Sequence, residues 1–418
     1  MGHEISPTFC RILCRRLSPY YCLRIVENRN LPAFMSKQSP ISPPILRSFM
    51  PELDSVRGIA VLLVVVFHGF AGAYLTLQFG GIADKFVRAT CFGATGVNLF
   101  FVLSGFLITG ILLESKTSEH YYRDFYVRRA LRILPAYYLL LVMLALLGSG
   151  TAAYFALSFF YLSNVTGLFG VASAYGPLWS LAVEEHYYLI WPTLVRNLSR
   201  RNLAVWAACL WLAIPLLRWA YFGRVGSEGL RTYTWFCADN LAAGSLLAIL
   251  LRVIPTRRAV LAVSSILVTL GLVLAGTGGW YGVAGRTQVA GAVFADTTLS
   301  IFYSGVLAVF LLAGTSSWRA LVNLRVLRFF GYISYSLYLF QLIVAGAYDR
   351  IAFKFLASMQ PRSGRFDLAV IRFVITTLLA VGFSWASRHY LEEAFLRYKN
   401  RLTGGTALPQ TTKPKKLA

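Results

Sequence analysis

The sequence predicts an all-α fold, a polytopic bundle of about ten transmembrane helices with both termini in the cytoplasm. Three observations carry this expectation. Of 418 residues, 57% are hydrophobic and only 14% charged, where a soluble domain carries about 25% charged residues. Mean hydropathy is +0.61. Apolar stretches of about 20 residues, the length that crosses a bilayer core, recur along most of the chain.

The elements follow in order. Residues 1–50 are rich in Arg, Pro, Ser and Cys and hold no long apolar run. No apolar core leads to a small-residue cleavage site, so they read as a basic, disordered cytoplasmic extension and not as a signal peptide. Residues 51–401 then form the membrane domain. Its first span, 58–76, is apolar except for His68, and the second, 92–113, is interrupted by Asn98, Ser104 and Gly105. The third, 133–149, follows an arginine cluster, and the fourth, 179–195, contains Glu184 and Glu185. Spans at 203–222, 234–251, 259–276, 292–314, 329–348 and 367–387 complete the set. The tail, 402–418, is short and basic and reads as disordered.

The apolar stretch 152–171 leaves room for an eleventh segment. If it is short, re-entrant or interfacial, ten spans remain. Under that count 29 of the 40 Lys and Arg fall in the segments placed inside, as the positive-inside rule requires. This also accounts for the net charge of +23: no soluble basic domain is available for nucleic acid, and loop cations suit anionic lipid head groups. The six cysteines show neither zinc spacing nor a paired framework, and no metal is expected.

Four clusters carry the chemistry. Arg57 and His68 are eleven residues apart, about three helical turns, so they share a face roughly 16 Å apart along the axis. An ionisable side chain inside a span costs a few kcal/mol and usually faces a cavity or a partner. This pair suggests proton chemistry or acyl transfer; the plainer reading is a histidine hydrogen-bonded to a neighbouring helix. In the second cluster, Gly96 to Ile108, packing of small residues accounts for Ser104 and Gly105, but the amide of Asn98 needs partners. In the third, Arg128 and Arg132 share a face, with Arg129 beside them. Their guanidinium forks suit a phosphorylated cytosolic donor, or else they set topology and touch lipid phosphate. In the fourth, Tyr175 to Leu189, adjacent carboxylates inside an apolar segment must be paired or protonated. Glu184 and Glu185 point about 100° apart. One of them is placed to orient a buried histidine; alternatively they pair with Arg57 or Arg218 to hold the bundle together.

Taken together, these clusters resemble the acyltransferase-3 family of integral membrane O-acyltransferases, which includes many bacterial polysaccharide acetylases. The resemblance runs from about Glu52 to Arg401. The Arg-x10-His pattern is Arg57 and His68. The Gly-Val-Asp-x-Phe-Phe-x-x-Ser-Gly-Phe motif is matched except for Asn98 in place of aspartate. The Arg-Arg-x-x-Arg-Ile-x-Pro-x-Tyr motif is intact from Arg128 to Tyr137, and Trp-Ser-Leu-x-Val-Glu-Glu is intact from Trp179 to Glu185. Looser matches are Phe330 to Leu339, a late helix in which Gln341 stands where a histidine often follows, Asp239 with Gly244, and Glu392 to Phe395.

The resemblance implies transfer of an acyl group, in the first instance acetyl from acetyl-CoA, from a cytoplasmic acyl-CoA to a hydroxyl of an acceptor sugar. His68 is then expected to be the general base or a transient acyl carrier, with Glu184 or Glu185 orienting it. Arg128, Arg129 and Arg132 would take the coenzyme's phosphates, and Arg57 would steer the donor or stabilise developing negative charge. Asn98, Ser104, Trp179, Ser180 and Tyr188 would support the site. The acceptor would be a glycan or glycolipid: lipopolysaccharide, exopolysaccharide, a peptidoglycan sugar or another glycosylated molecule. Some members carry a fused extracytoplasmic hydrolase-like domain. The sequence shows none, so either the membrane domain completes transfer or a separate extracytoplasmic transferase does. The expected location is the inner (plasma) membrane. A transporter or flippase of a glycolipid or glycan precursor is the rival, since it too uses midplane charges.

Overall fold

A computed structural model describes residues 45–47, 49–254, 256–276, 289–355 and 360–398. The N-terminal extension up to residue 44 and the tail 402–418 lie outside these residues, as do Cys10, Cys14 and Cys22. The principal helices are α1 (Glu52–Gly69), α2 (Gly81–Ala89), α3 (Gly96–Glu114), α4 (Tyr121–Leu146), α5 (Ala152–Phe159), α6 (Leu178–Asn197), α7 (Arg200–Tyr221), α8 (Asp239–Leu250), α9 (Arg257–Leu274), α10 (Val289–Ala313), α11 (Arg325–Phe355) and α12 (Phe366–Ala386). No strand occurs among the described residues.

Eight helical segments among the described residues are long and apolar enough to cross a membrane. Each of the ten expected spans coincides with a helix, but two fall outside the eight. The 20 residues of α6 include Glu184, Glu185, His186 and Arg196, which lower its hydropathy. The expected span 234–251 breaks into a one-turn helix, Thr234–Cys237, and the 12-residue α8, about 18 Å long. The ambiguous stretch 152–171 holds only the eight-residue α5 and a single 3-10 turn, too short to cross a bilayer core of about 30 Å as a helix.

Local signals explain several boundaries. The hydroxyls of Thr151, Ser199 and Thr256 accept from backbone N–H groups three residues on, capping α5, α7 and α9. Pro135, Pro192 and Pro215 lie inside helices, which membrane helices tolerate where neighbours re-satisfy the freed backbone groups.

Two glycine crossings set the interior. At Gly58 of α1 an added Cβ would lie 2.0 Å from the Leu327 carbonyl oxygen, and at Gly331 of α11 it would lie 1.9 Å from that of Asp54. The pair Gly105 of α3 and Gly244 of α8 does the same, with distances of 2.0 Å and 1.9 Å to the carbonyls of Leu241 and Val102. Small residues allow this close backbone approach where no hydrophobic effect drives helix association. Apolar layers flank the crossings: Val61, Val64 and Val65 of α1 pack with Leu337 and Phe340 of α11, and Leu99 and Leu103 of α3 pack with Leu247 of α8 and Leu307 of α10. Large apolar side chains such as Trp206, Leu212, Leu216, Ile266 and Leu270 are exposed on α7 and α9, as expected of helices that face lipid.

Candidate active site

Five helices, α1, α3, α4, α6 and α11, enclose a pocket of about 160 Å3 lined by Arg57, Ser104, Arg129, Arg132, Ser180, Glu184, Tyr188 and Tyr338, among other residues. It shares Arg57, Arg129 and Arg132 with a wider vestibule of about 700 Å3, to which Arg47, Arg128, Arg252 and Arg388 also contribute.

Helical phase on α4 distributes the arginines. Arg128 reaches back one turn to Asp124, at 3.8 Å. Arg129 turns to α6, where its guanidinium is 3.7 Å from a Glu184 oxygen and 3.6 Å from a Glu185 oxygen. It also stacks 3.3 Å above the centre of the Tyr188 ring. Arg132 stands exposed in the cavity with Arg57, Arg129 and Arg388 as its cationic neighbours. Arg57 is held by Asp54 at 2.7 Å, Arg252 by Glu114 at 2.7 Å, and Arg388 by Glu392 at 3.4 Å. Arg47 is paired with Glu52, so Arg132 is the one of these arginines without an ion pair among the described residues, and its guanidinium fork can take the oxygens of an anion.

Glu184 is the best-held carboxylate of the pocket. Ser104 donates to one of its oxygens at 2.8 Å and Tyr188 to the other at 2.9 Å. Ser104 and Tyr188, both named from the sequence, thus share Glu184 as their hydrogen-bond partner. Ser180 and Tyr338 share a hydrogen bond at 2.5 Å across α6 and α11. Trp179 meets the edge of Phe101, with ring centres 5.9 Å apart. Neither carboxylate pairs with Arg57 or Arg218; their cation is Arg129.

Asn98 lies elsewhere. It donates to Asp296 at 3.0 Å and to Asn240 at 3.4 Å, inside a buried ionic node centred on Arg218. That guanidinium is fully buried. It donates to the Phe236 carbonyl at 2.7 Å, the Val293 carbonyl at 3.0 Å, Thr297 at 3.2 Å and Asp239 at 2.8 Å. Thr297 completes the ring by donating to Asp239 at 2.8 Å. The node ties α7, α8 and α10 together.

His68 also stands apart from Glu184 and Glu185. It lies near the end of α1, about 16 Å of helical rise from Arg57, in a small cavity with Gln341 of α11 and Arg372 of α12. Of the carboxylates that the sequence pairs with His68, Glu184 lines the arginine pocket and Glu185 meets Arg129 instead. The physical reason is vertical spacing: Val61, Val64 and Val65 fill the level between Arg57 and His68. The gap on α11 is shorter, because Tyr338 of the arginine pocket and Gln341 of the histidine cavity are three residues apart, about 4.5 Å of rise.

The sequence missed four members of this arrangement. Arg252 and Arg388 counted only as topology-setting charges. Tyr338 and Glu392 lay inside quoted motifs without an assigned role. Ser336 donates to Glu392, and Tyr332 donates to Glu393 at 2.5 Å, so the closing Glu-Glu pair fastens the segment after α12 onto α11. Among the described residues no group of three or more His, Cys, Asp or Glu side chains is placed to hold a metal ion.

The chain is similar in sequence to known acyltransferases. An acyltransferase-domain family model matches residues 50–389. The peptidoglycan O-acetyltransferase OatA of Listeria monocytogenes is 34% identical over 168 residues, 36% of this chain and 24% of the relative. YrhL of Bacillus subtilis, provisionally named a peptidoglycan O-acetyltransferase, is 34% identical over 163 residues, 34% of this chain and 23% of the relative. A provisionally named O-acetyltransferase of Staphylococcus aureus is 31% identical over 172 residues, 36% of this chain and 25% of the relative. The chain thus spans about a quarter of the length of these relatives. No solved structure matches it. With the family model covering most of its length and several apolar helices able to cross a bilayer, this multi-pass membrane protein belongs to the acyltransferase-3 family.

Proposed function

We propose that the chain is an O-acyltransferase that moves an acyl group, in the first instance acetyl, from acyl-CoA to a hydroxyl of a cell-surface glycan. The observation that carries this reading is the arginine vestibule narrowing into the Glu184 pocket, a shape suited to a multiply charged head and a thin acyl-bearing arm. Arg128, Arg132, Arg252 and Arg388 hold phosphates, with Arg57 at the neck. Arg129 stays with Glu184 and Glu185 and fixes the pocket wall. Tyr338 and Ser180 mark the inner end, one helical turn short of Gln341 and His68. His68 takes the proton of the acceptor hydroxyl.

In this reading the arginine end faces the cytoplasm of a plasma membrane crossed ten times, with α6 and α8 among the spans and both termini inside. The names of the Listeria and Bacillus relatives make a peptidoglycan sugar the first acceptor to try. Lipopolysaccharide, exopolysaccharide and glycolipids remain acceptors of the same chemistry, and a separate extracytoplasmic transferase is a further candidate recipient. A transporter or flippase of a glycan precursor is not favoured by the family membership.

The test is thiol release from a panel of acyl-CoA donors by purified protein in nanodiscs, wild type against His68→Ala. Loss of a general base lowers the rate about 10²–10⁴-fold. Release that survives in the variant removes His68 from the mechanism. Absence of release in wild type, with glycan extracts added, removes the donor assignment.

A further inference from the structure

The two ends of the Glu184 pocket differ in chemistry. Along α3 the lining runs from Ile111, which also borders the vestibule, down to Val97, about 21 Å of helical rise. The three cations that line the pocket, Arg57, Arg129 and Arg132, all stand at the mouth shared with the vestibule. Beyond Ser104 and Glu184 the walls turn apolar, with Val97, Phe100, Phe101 and Leu181. Two rings stand at this far end. Phe100 meets the edge of Tyr338, with ring centres 6.0 Å apart. Tyr338 is itself buried and shares the hydrogen bond with Ser180, so the ring behind Phe100 is pinned between α11 and α6.

Size and polarity decide what fits there. An apolar protein cavity of about 150 Å3 holds one benzene, a six-carbon ligand. The whole pocket is about 160 Å3, and the thiol end of a donor arm entering between the arginines takes part of it. The remainder holds a chain of about two to four carbons. A carboxylate at the end of such a chain would be buried away from every cation of the pocket, which is costly. An uncharged alkyl tail gains instead, because each methylene buried against apolar walls strengthens binding about fourfold.

We propose that the far end of this pocket holds the tail of the acyl group, and that Phe100 sets the longest tail accepted. The assignment rests on the acyltransferase reading above and names the donors as short, uncharged acyl thioesters. Tails within the limit lie against Val97, Phe101 and Leu181. A longer tail meets the Phe100 ring, which cannot retreat because Tyr338 stands behind it, and overpacking of this kind is unfavourable. Phe100 is the informative residue to change. It is half-buried and its ring has no hydrogen bond to lose, whereas Tyr338 also carries the bond that joins α11 to α6.

The experiment follows thiol release by the full chain in nanodiscs from acetyl-, butyryl-, hexanoyl- and succinyl-CoA, with soluble peptidoglycan fragments as acceptor. Each donor is read as its kcat/KM relative to acetyl-CoA in the same preparation, so a poorly folded fraction cancels. In wild type, hexanoyl-CoA and succinyl-CoA are each expected at least about tenfold below butyryl-CoA. Phe100→Ala is expected to raise the hexanoyl-to-acetyl ratio at least about tenfold. Val97→Phe, which fills the same end, is expected to lower the butyryl-to-acetyl ratio by a similar factor. Should Phe100→Ala fail to fold, the wild-type profile and Val97→Phe decide alone. A wild type that takes hexanoyl-CoA as well as butyryl-CoA overturns the assignment, and so does a ratio unmoved in either variant. Succinyl-CoA used as well as butyryl-CoA overturns the uncharged donor class. A wild type that releases no thiol from any donor overturns the acyltransferase reading itself, which separates that failure from a failure of the tail pocket.

Discussion

Replacing Arg129 by methionine tests whether the pocket stands on its central ion triad. The substitution leaves Glu184 and Glu185 without their cation. At 3.6–3.7 Å each contact contributes about 4 kcal/mol at an effective dielectric near 20, and most of that offsets the desolvation of the charges. Breaking a buried pair by removing one partner costs about 3–5 kcal/mol. The position of the guanidinium over Tyr188 adds about 0.5–2 kcal/mol. Arg129 Nε and Glu185 Oε1 make no hydrogen bond, which places the ionic loss at the lower end, about 3 kcal/mol. Thermal unfolding in detergent, followed by the monodisperse fraction on size exclusion, should then show a melting point roughly 4–6 °C lower. The triple variant Arg129→Met, Glu184→Gln, Glu185→Gln strands no charge and should recover at least half of the loss. If Arg129→Met melts with wild type, the triad holds nothing together. If the triple variant is no better than the single one, packing against Tyr188 is the cause, and the electrostatic reasoning is wrong.

Three further outcomes are expected. Arg132→Ala should raise the KM for acyl-CoA about ten- to hundredfold, from the loss of about 1.5–3 kcal/mol of charged hydrogen bonding, and the penalty should shrink as salt rises; a salt-independent KM equal to wild type would clear Arg132 of donor binding. Gly58→Ala should destabilise by about 1–3 kcal/mol, because its methyl meets the Leu327 carbonyl oxygen at 2.0 Å, whereas Gly346→Ala on α11, whose methyl meets nothing within 4 Å, should be neutral or mildly stabilising; equal melting points for the two would refute the close crossing. Arg218→Met should lower stability by about 3–5 kcal/mol and should be partly rescued by Asp239→Asn, read in the same unfolding assay; no rescue would mean that the lost carbonyl contacts dominate.

Helix positions were legible because burial in lipid demands long apolar runs. Each of the ten expected spans overlaps a helix. The two that are not long, uniformly apolar helices lie where tertiary structure substitutes for lipid: the polar start of α8 is served by Arg218, and the two glutamates of α6 have Arg129 across from them. The grouping of functional residues was only half legible. Arg57, Arg129, Arg132, Ser104, Ser180, Glu184 and Tyr188 do converge on one pocket. The pairing of His68 with a glutamate was inferred from residue type alone, which says nothing about height within the bilayer. Asn98 needed partners, as its chemistry demanded, but they are Asp296 and Asn240, 198 and 142 residues away. Contacts at that separation leave no local trace in one sequence. Gln341 was visible only as a departure from a motif, and its place beside His68 appears only in three dimensions.

The break before α8 has a consequence for how the chain enters the membrane. A 12-residue helix that begins Asp239-Asn240 is a poor substrate for insertion on hydropathy alone, since an aspartate costs about 2.5–3.5 kcal/mol at mid-helix on the insertion scale. What makes its position tenable comes from other helices: the guanidinium of Arg218, synthesised earlier on α7, and Thr297, synthesised later on α10. Arg218 also binds the Phe236 carbonyl, a backbone group just upstream of the break. The position of this stretch is therefore held by contacts from one helix made before it and one made after it.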